Sequence, residues 1–240
     1  MRYLVTLLCA LCCWASPATA QVSIGIGLPN VSIGINLPVY PQLVRVPNYP
    51  VYYAPQLQQN YFFYDGMYWV YQDDNWYASS WYNGPWGLVG PDQVPVYVLR
   101  IPVRYYQKPP QYFRGWQRDA PPRWGDHWGR DWEQRRGGWD KWDRRSAPRP
   151  APLPTYQRKY KHDAYPAPQR QPDIRGQNYR YQPREAVVKE HYQKEREQSP
   201  RGRDNNDRGN NGKGKDKGRD RDDDRGGNNG NNGRGPDRQR

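Results

Sequence analysis

The sequence predicts a mainly β protein. It reads as a small antiparallel aromatic-rich sheet, a meander with a lead-in hairpin, followed by one or two short helices and a disordered C-terminal tail. Three observations lead there. Residues 61–89, YFFYDGMYWVYQDDNWYASSWYNGPWGLV, alternate aromatic runs with the turn signals Asp65-Gly66, Asp73-Asp74 and Asn83-Gly84. Asp-Gly and Asn-Gly suit the positive φ that short hairpin loops require. Upstream, VSIGIGLP (22–29) and VSIGINLP (31–38) repeat with apolar residues on alternate positions, which is the period of a strand. Downstream, the last forty residues contain only charged, polar, glycine and proline residues and have nothing to bury against the entropy of folding.

In chain order, residues 1–20 read as a signal peptide. Arg2 precedes an apolar run, and Ala18-Thr19-Ala20 is a small-residue cleavage pattern. All three cysteines fall within this stretch, so the rest of the chain has neither disulfides nor thiolate metal sites available to it. No later stretch has the length and apolarity of a transmembrane span. The 22–38 repeat predicts a hairpin turning at Pro29-Asn30. Residues 39–55, with Pro41, Pro47, Pro50 and Pro55, must be edge strand or polyproline II, because proline removes ladder donors.

The meander's turns set a register that pairs Tyr64 with Met67, Phe62 with Trp69, Tyr71 with Trp76 and Trp81 with Trp86. Since side chains alternate across a strand, this sorts residues onto two faces. One carries Phe62, Tyr64, Met67, Trp69, Tyr71, Trp76 and Ala78; the other carries Tyr61, Phe63, Tyr68, Val70, Tyr77, Ser79 and Trp81. Residues 94–106, VPVYVLRIPVRYY, alternate well enough to predict a further strand that closes a small all-β domain over 21–106.

Residues 107–145 form a Trp/Arg-rich segment. Trp124, Trp128 and Trp132 recur at i, i+4 and i+8, which predicts a short helix over 126–136 whose indole stripe either docks on the sheet or, with its arginines, meets a membrane interface or polyanion. Gly125 and Gly129 each weaken it by about 1 kcal/mol relative to alanine. Residues 146–200 read as a Pro-rich linker, opening with APRPAPLP, and contain a marginal helix over 184–198 with Glu185/Lys189 and Glu190/Lys194 at i, i+4. Residues 201–240 read as a disordered polyampholyte tail with 12 basic and 8 acidic side chains. The chain's net charge of +13 is unevenly placed. Over 21–113, Arg45, Arg100, Arg104 and Lys108 balance Asp65, Asp73, Asp74 and Asp92, so the excess lies in the second half.

Chemical motifs are sparse. The three histidines, His127, His162 and His191, lack ligand spacing and are expected at the surface. No nucleophile elbow, zinc-protease helix or phosphate loop occurs, so neither an enzyme nor a cofactor is expected. The tail's Arg-Gly steps resemble RNA-binding segments, but export would separate them from intracellular nucleic acid. The meander together with VPVYVLRIPVRYY and PPRWGDHWGRDWEQRRGGWD resembles a family of exported Tyr/Trp/Pro-rich proteins of Gram-negative bacteria. That resemblance spans roughly residues 22–160. It implies a periplasmic or outer-envelope location and supplies no catalytic residues.

The functional expectation is a non-enzymatic exported envelope protein, binding or structural. Tyr61, Tyr68, Tyr77 and Trp81 would stack on the rings of a polysaccharide from an exposed sheet face. The alternative is a structural or interaction protein that uses its basic arm to associate with anionic envelope polymers or a partner protein.

Overall fold

The computed structural model describes Ile26 and residues 32–199. The expected signal peptide (1–20), most of the first repeat copy and the tail (201–240) lie outside the described residues. The aromatic meander is the centre of a six-stranded antiparallel sheet whose spatial order follows the chain: β1 (Val44–Arg45), β2 (Tyr52–Tyr53), β3 (Asn60–Tyr64), β4 (Met67–Gln72), β5 (Asn75–Ser79) and β6 (Gly87–Val89). The turn residues act as their chemistry demands. Asp65 and Gly66 take φ of 51° and 91°, and Asp73 and Asp74 take 48° and 63°. These left-handed pairs bring Tyr64 opposite Met67, Phe62 opposite Trp69 and Tyr71 opposite Trp76.

The third turn differs from expectation. β5 ends at Ser79, and Ala78 rather than Trp81 faces the returning strand, opposite Gly87. Residues 80–86 make a wider loop in which the Gly84 N–H reaches the Trp81 carbonyl at 3.2 Å, so Trp81 and Trp86 are not cross-strand partners. The proline-rich stretch 39–55 supplies the short edge strands β1 and β2, closed by a Val46–Val51 turn with Asn48 at φ 65°.

Both faces of the sheet are buried, which accounts for aromatic residues on both. Phe62, Tyr64, Met67, Trp69, Tyr71, Trp76 and Ala78 share one core with Val94, Val98, Leu99, Ile101, Tyr106, Phe113, Trp124, Trp132 and Val188. Tyr61, Phe63, Tyr68 and Val70 share the other with Ile33, Leu37, Tyr82, Trp86 and Ala151. The two-face sorting read from the register therefore holds for β3–β5, while Trp81, assigned to the second face, lies beyond the end of β5. Edge-to-face and tilted ring pairs dominate, such as Phe62–Tyr106 at 5.0 Å and Tyr71–Trp124 at 5.2 Å. Such pairs add about 0.5–1.5 kcal/mol each beyond area burial.

The covering layers are mostly helical turns and irregular chain, so among the described residues helical turns outnumber strand residues and "mainly β" describes only the central layer. Residues 94–106 are not a strand. They form helix α1 (Val96–Leu99) and a 3-10 turn (Val103–Tyr105), each entered through a proline, Pro95 and Pro102. A proline cannot donate to a ladder but suits the start of a helical turn. Winding the chain turns Val94, Val98, Leu99 and Ile101 onto the aromatic face.

The lead-in hairpin is also absent among the described residues. Ile26 makes one isolated bridge to Val89, and 32–38 contains no strand. Its period of two survives as burial: Ile33 and Leu37 are buried while Ser32, Gly34 and Asn36 are exposed. Side chains replace the missing ladder, with Gln72 Nε2 donating to the Ile33 carbonyl (2.9 Å) and the Leu37 N–H donating to Asn83 Oδ1 (2.8 Å).

The Trp stripe docks on the sheet, but through two helices rather than one. α2 (Trp124–Trp128) and α3 (Arg130–Arg135) are separated by Gly129 at φ 86°, ψ 173°. Trp124 stacks on Trp128 at 4.5 Å and Trp128 meets Trp132 edge-on at 4.7 Å. A continuous helix would gain from Gly129→Ala. At this φ/ψ an L side chain instead strains the backbone by about 1–3 kcal/mol. G129A is therefore expected to lower the urea midpoint of unfolding, and a raised midpoint would indicate the single helix.

Residues 146–199 are not a spacer. Ala151, Leu153, Tyr165 and Tyr181 cover the second sheet face; the segment then forms α4 (Gln171–Asn178) and α5 (Ala186–Gln198), and α5 sends Val187 and Val188 into the first core. Ala151, Gln157, Gln171 and Val188 are buried. The folded body thus continues to residue 199 rather than ending near 106. No helix among the described residues is long and apolar enough to cross a membrane.

Candidate functional site

The aromatic face expected to meet a ligand is occupied by the chain itself. Tyr61, Tyr68 and Trp81 are 1%, 0% and 0% exposed, and only Tyr77 is half-buried. The hydroxyls are committed internally: Tyr61 OH donates to the Tyr82 carbonyl (2.6 Å) and Tyr68 OH to Gln157 Oε1 (3.0 Å). Gln157 works as a buried key, since its Oε1 also accepts from the Tyr82 N–H (3.1 Å) and its Nε2 donates to the Ser80 carbonyl (3.0 Å). Trp81 sits among the edges of Tyr156, Tyr160 and Tyr165 at 5.3–5.8 Å. These four residues do not form an open stacking platform. The correction has a physical cause, because so large an apolar face is stable only when covered, and the tyrosines of 146–199 cover it.

An open cleft of about 490 Å³ lies instead at the β4–β5 turn, beside the chain entering β3 and residues 108–111. Gln58, Gln59, Gln72, Asp73, Lys108 and Gln111 bring side-chain amides, a carboxylate and an ammonium to its lining. Asn60 holds the two walls together. Its Nδ2 donates to the Tyr71 and Lys108 carbonyls (2.9 and 2.7 Å), and its Oδ1 accepts the Lys108 N–H (2.9 Å). Gln58, Gln111 and Lys108 are exposed and face solvent.

Asp74, at the rim, anchors the outer wall. Its Oδ1 accepts from Tyr71 OH (2.7 Å) and Tyr112 OH (2.9 Å), and His127 Nε2 lies 2.8 Å away. The Tyr71 and Tyr112 hydroxyl oxygens also lie in contact with each other, so two phenol protons serve three oxygen–oxygen contacts, and the Tyr112 ring stacks on His127 at 4.2 Å and 7°. Burial works against the Asp74 carboxylate, but the two phenols and the His127 ring outweigh it and hold its pKa below the ordinary carboxylate range.

The histidines depart from the surface expectation in two cases. His127 is half-buried, His191 is buried, and His162 is exposed. No cluster of three or more His, Cys, Asp or Glu among the described residues has a metal-binding arrangement.

The cleft residues are less conspicuous in the sequence than the rings beside them. The signals were there: the run Gln58-Gln59-Asn60 directly before an aromatic strand, and Lys108-Pro109-Pro110-Gln111, where two prolines stiffen a polar rim. Comparison of the chain with family models, with curated proteins and with solved structures found no match.

Proposed function

We propose that the protein is an exported, non-enzymatic binding protein of the cell envelope that holds a glycan in the cleft at the β4–β5 turn. The observation that carries this reading is the lining of that cleft. Amide side chains of Gln58, Gln59 and Gln111 both donate and accept, and Asp73 accepts, which matches the donor–acceptor hydroxyls of a sugar. Its volume of about 490 Å³ lies within the size range of small-ligand sites. The wall is fixed in advance by the Asn60 clamp and the Asp74 cluster, so little ordering is lost on binding. Asp74 is held as an anion by its donors, which suits a positioning role rather than proton transfer. Export is supported by the sequence pattern of residues 1–20 and by the family resemblance.

The test is electrophoresis of the full chain through gels that contain dissolved polysaccharide. The wild type is expected to be retarded. A Gln58→Ala/Gln111→Ala variant is expected to lose about 10-fold in affinity, the equivalent of one or two hydrogen bonds. Migration unchanged by every neutral and acidic polysaccharide tried would remove the reading. The basic-arm alternative makes the opposite prediction: deleting 201–240 would abolish retardation and the cleft substitutions would have no effect.

A further inference from the structure

The glycan-binding cleft adjoins a second one. This neighbour has a volume of about 590 Å³ and shares Pro109, Pro110 and Gln111 with the first, so the two form one groove over the proline rim. Their chemistries differ. The first is lined by amides with Asp73, Asp74 and Lys108, whereas the second is lined by Arg104, Arg114 and Arg118 with no carboxylate. Arg104 is engaged with Asp119 at 2.7 Å. Arg114 and Arg118 are exposed and make no ion pair among the described residues. Arg114 and Arg118 open the half of the chain that carries the positive excess, and they converge with Arg104 on this cleft.

A further feature marks the second cleft as a place for a ligand. Trp116 is half-buried and stacked on Phe113 at 4.7 Å and 26°, which presents a supported ring beside the guanidinium groups.

Resting on the glycan reading, we infer that the ligand is an acidic polysaccharide whose sugar hydroxyls occupy the amide cleft and whose carboxylates meet Arg114 and Arg118. A guanidinium presents a planar fork of donors that matches a carboxylate, and the Trp116 ring offers a flat partner for a pyranose face. Nucleic acid fits less well. The DNA backbone offers no free sugar hydroxyls along its length for the amides of the other half to hold. A uronic-acid polymer presents ring hydroxyls to those amides and carboxylates to the arginines.

The experiment is calorimetric titration of the full chain with polygalacturonate, dextran and single-stranded DNA at low and moderate salt. Polygalacturonate is expected to bind at least about 10-fold more tightly per site than dextran. The Arg114→Ala/Arg118→Ala variant should lose that preference and the steeper part of its salt dependence, because fewer counterions are released. Both arginines are exposed, so circular dichroism and unfolding should match the wild type. Dextran and polygalacturonate bound equally would overturn the acidic assignment and leave the glycan reading intact. No binding to either would overturn both. DNA bound more tightly than polygalacturonate, with loss in the same variant, would overturn the polysaccharide in favour of a phosphate polymer. An acidic preference unaffected by the double variant but lost on deleting 201–240 would assign it to the arm and overturn the groove.

Discussion

Replacing Glu195 by alanine is expected to destabilise the protein by about 3–5 kcal/mol, because it strips the partner from a buried guanidinium. α5 carries Glu195 against the sheet's second covering layer, and the carboxylate is fully engaged. Its Oε2 pairs with Arg175 of α4, and its Oε1 lies 3.1 Å from His191 Nε2 and accepts from Ser80 Oγ at 2.8 Å. Arg175 and Glu195 side chains are 8% and 12% exposed, and the guanidinium lies 3.6 Å over the Tyr192 ring. The cluster fastens both C-terminal helices to the loop after β5. Burial alone would raise the Glu195 carboxyl, but Arg175 and then His191 outweigh it and hold it at about 2. The sign follows from that depression: the stabilisation is complete above the ordinary glutamate value of 4.5 and is lost as pH falls from there towards about 2. The span corresponds to about 3 kcal/mol. Urea unfolding between pH 5 and 2 should show this loss in the wild type and a smaller one in Glu195→Gln. Parallel curves for the two proteins would exclude the linkage, and an unchanged midpoint in Glu195→Ala would exclude the clasp.

The parts legible in the sequence were those governed by local periodicity and turn chemistry. Asp65-Gly66 and Asp73-Asp74 set register by themselves, and register then sorts every ring of β3–β5 onto its face. The Asn83-Gly84 loop misled because a dipeptide signal does not state loop length, and the chain runs on through Trp86 before pairing resumes. Residues 94–106 misled because alternating valines look like a strand until Pro95 and Pro102 are given their full weight.

The largest gap, the burial of 146–199, arose from counting aliphatic residues and phenylalanine. In this chain tyrosine carries the second core. Tyr156, Tyr160, Tyr165 and Tyr181 each put a ring against the sheet or its loops, and Tyr165 OH donates to the Gly84 carbonyl and Tyr181 OH to the Asp65 carboxylate, both at 2.6 Å. Scattered tyrosines among prolines have no period, so no pattern rule could register them. The candidate groove was harder still, because residues 58–60, 72–73 and 108–118 meet only through the Asn60 clamp and the Asp74 cluster.

Asp65 shows how one residue can be correctly read locally and still carry a larger role. As a turn residue it needs only tolerance of φ 51°. In the fold it is 2% exposed, and its carboxylate accepts from Tyr181 OH (2.6 Å), from the Arg184 N–H (2.9 and 3.0 Å to its two oxygens) and from the Glu185 N–H (2.8 Å). Glu185 directly precedes α5, so a side chain from the β3–β4 hairpin caps a helix that lies 120 residues further on. Helix starts leave N–H groups unpaired, and no side chain near α5 in the sequence supplies this cap. Tyr192 OH reinforces the contact by donating to the Gly66 carbonyl at 2.6 Å. If Asp65 served the turn alone, Asp65→Ala would cost about 1 kcal/mol for the left-handed backbone. With three part-buried donors losing this buried acceptor, the expected cost is on the order of 3 kcal/mol. Asp65→Asn keeps the turn preference and one acceptor oxygen, so it should fall between. Amide hydrogen exchange separates the roles, because loss of the cap should speed exchange across 184–190 in both variants while the β3–β4 amides stay protected in Asp65→Asn. Equal protection of 184–190 in wild type and Asp65→Asn would mean that the helix is held by Val187 and Val188 packing and not by the hairpin.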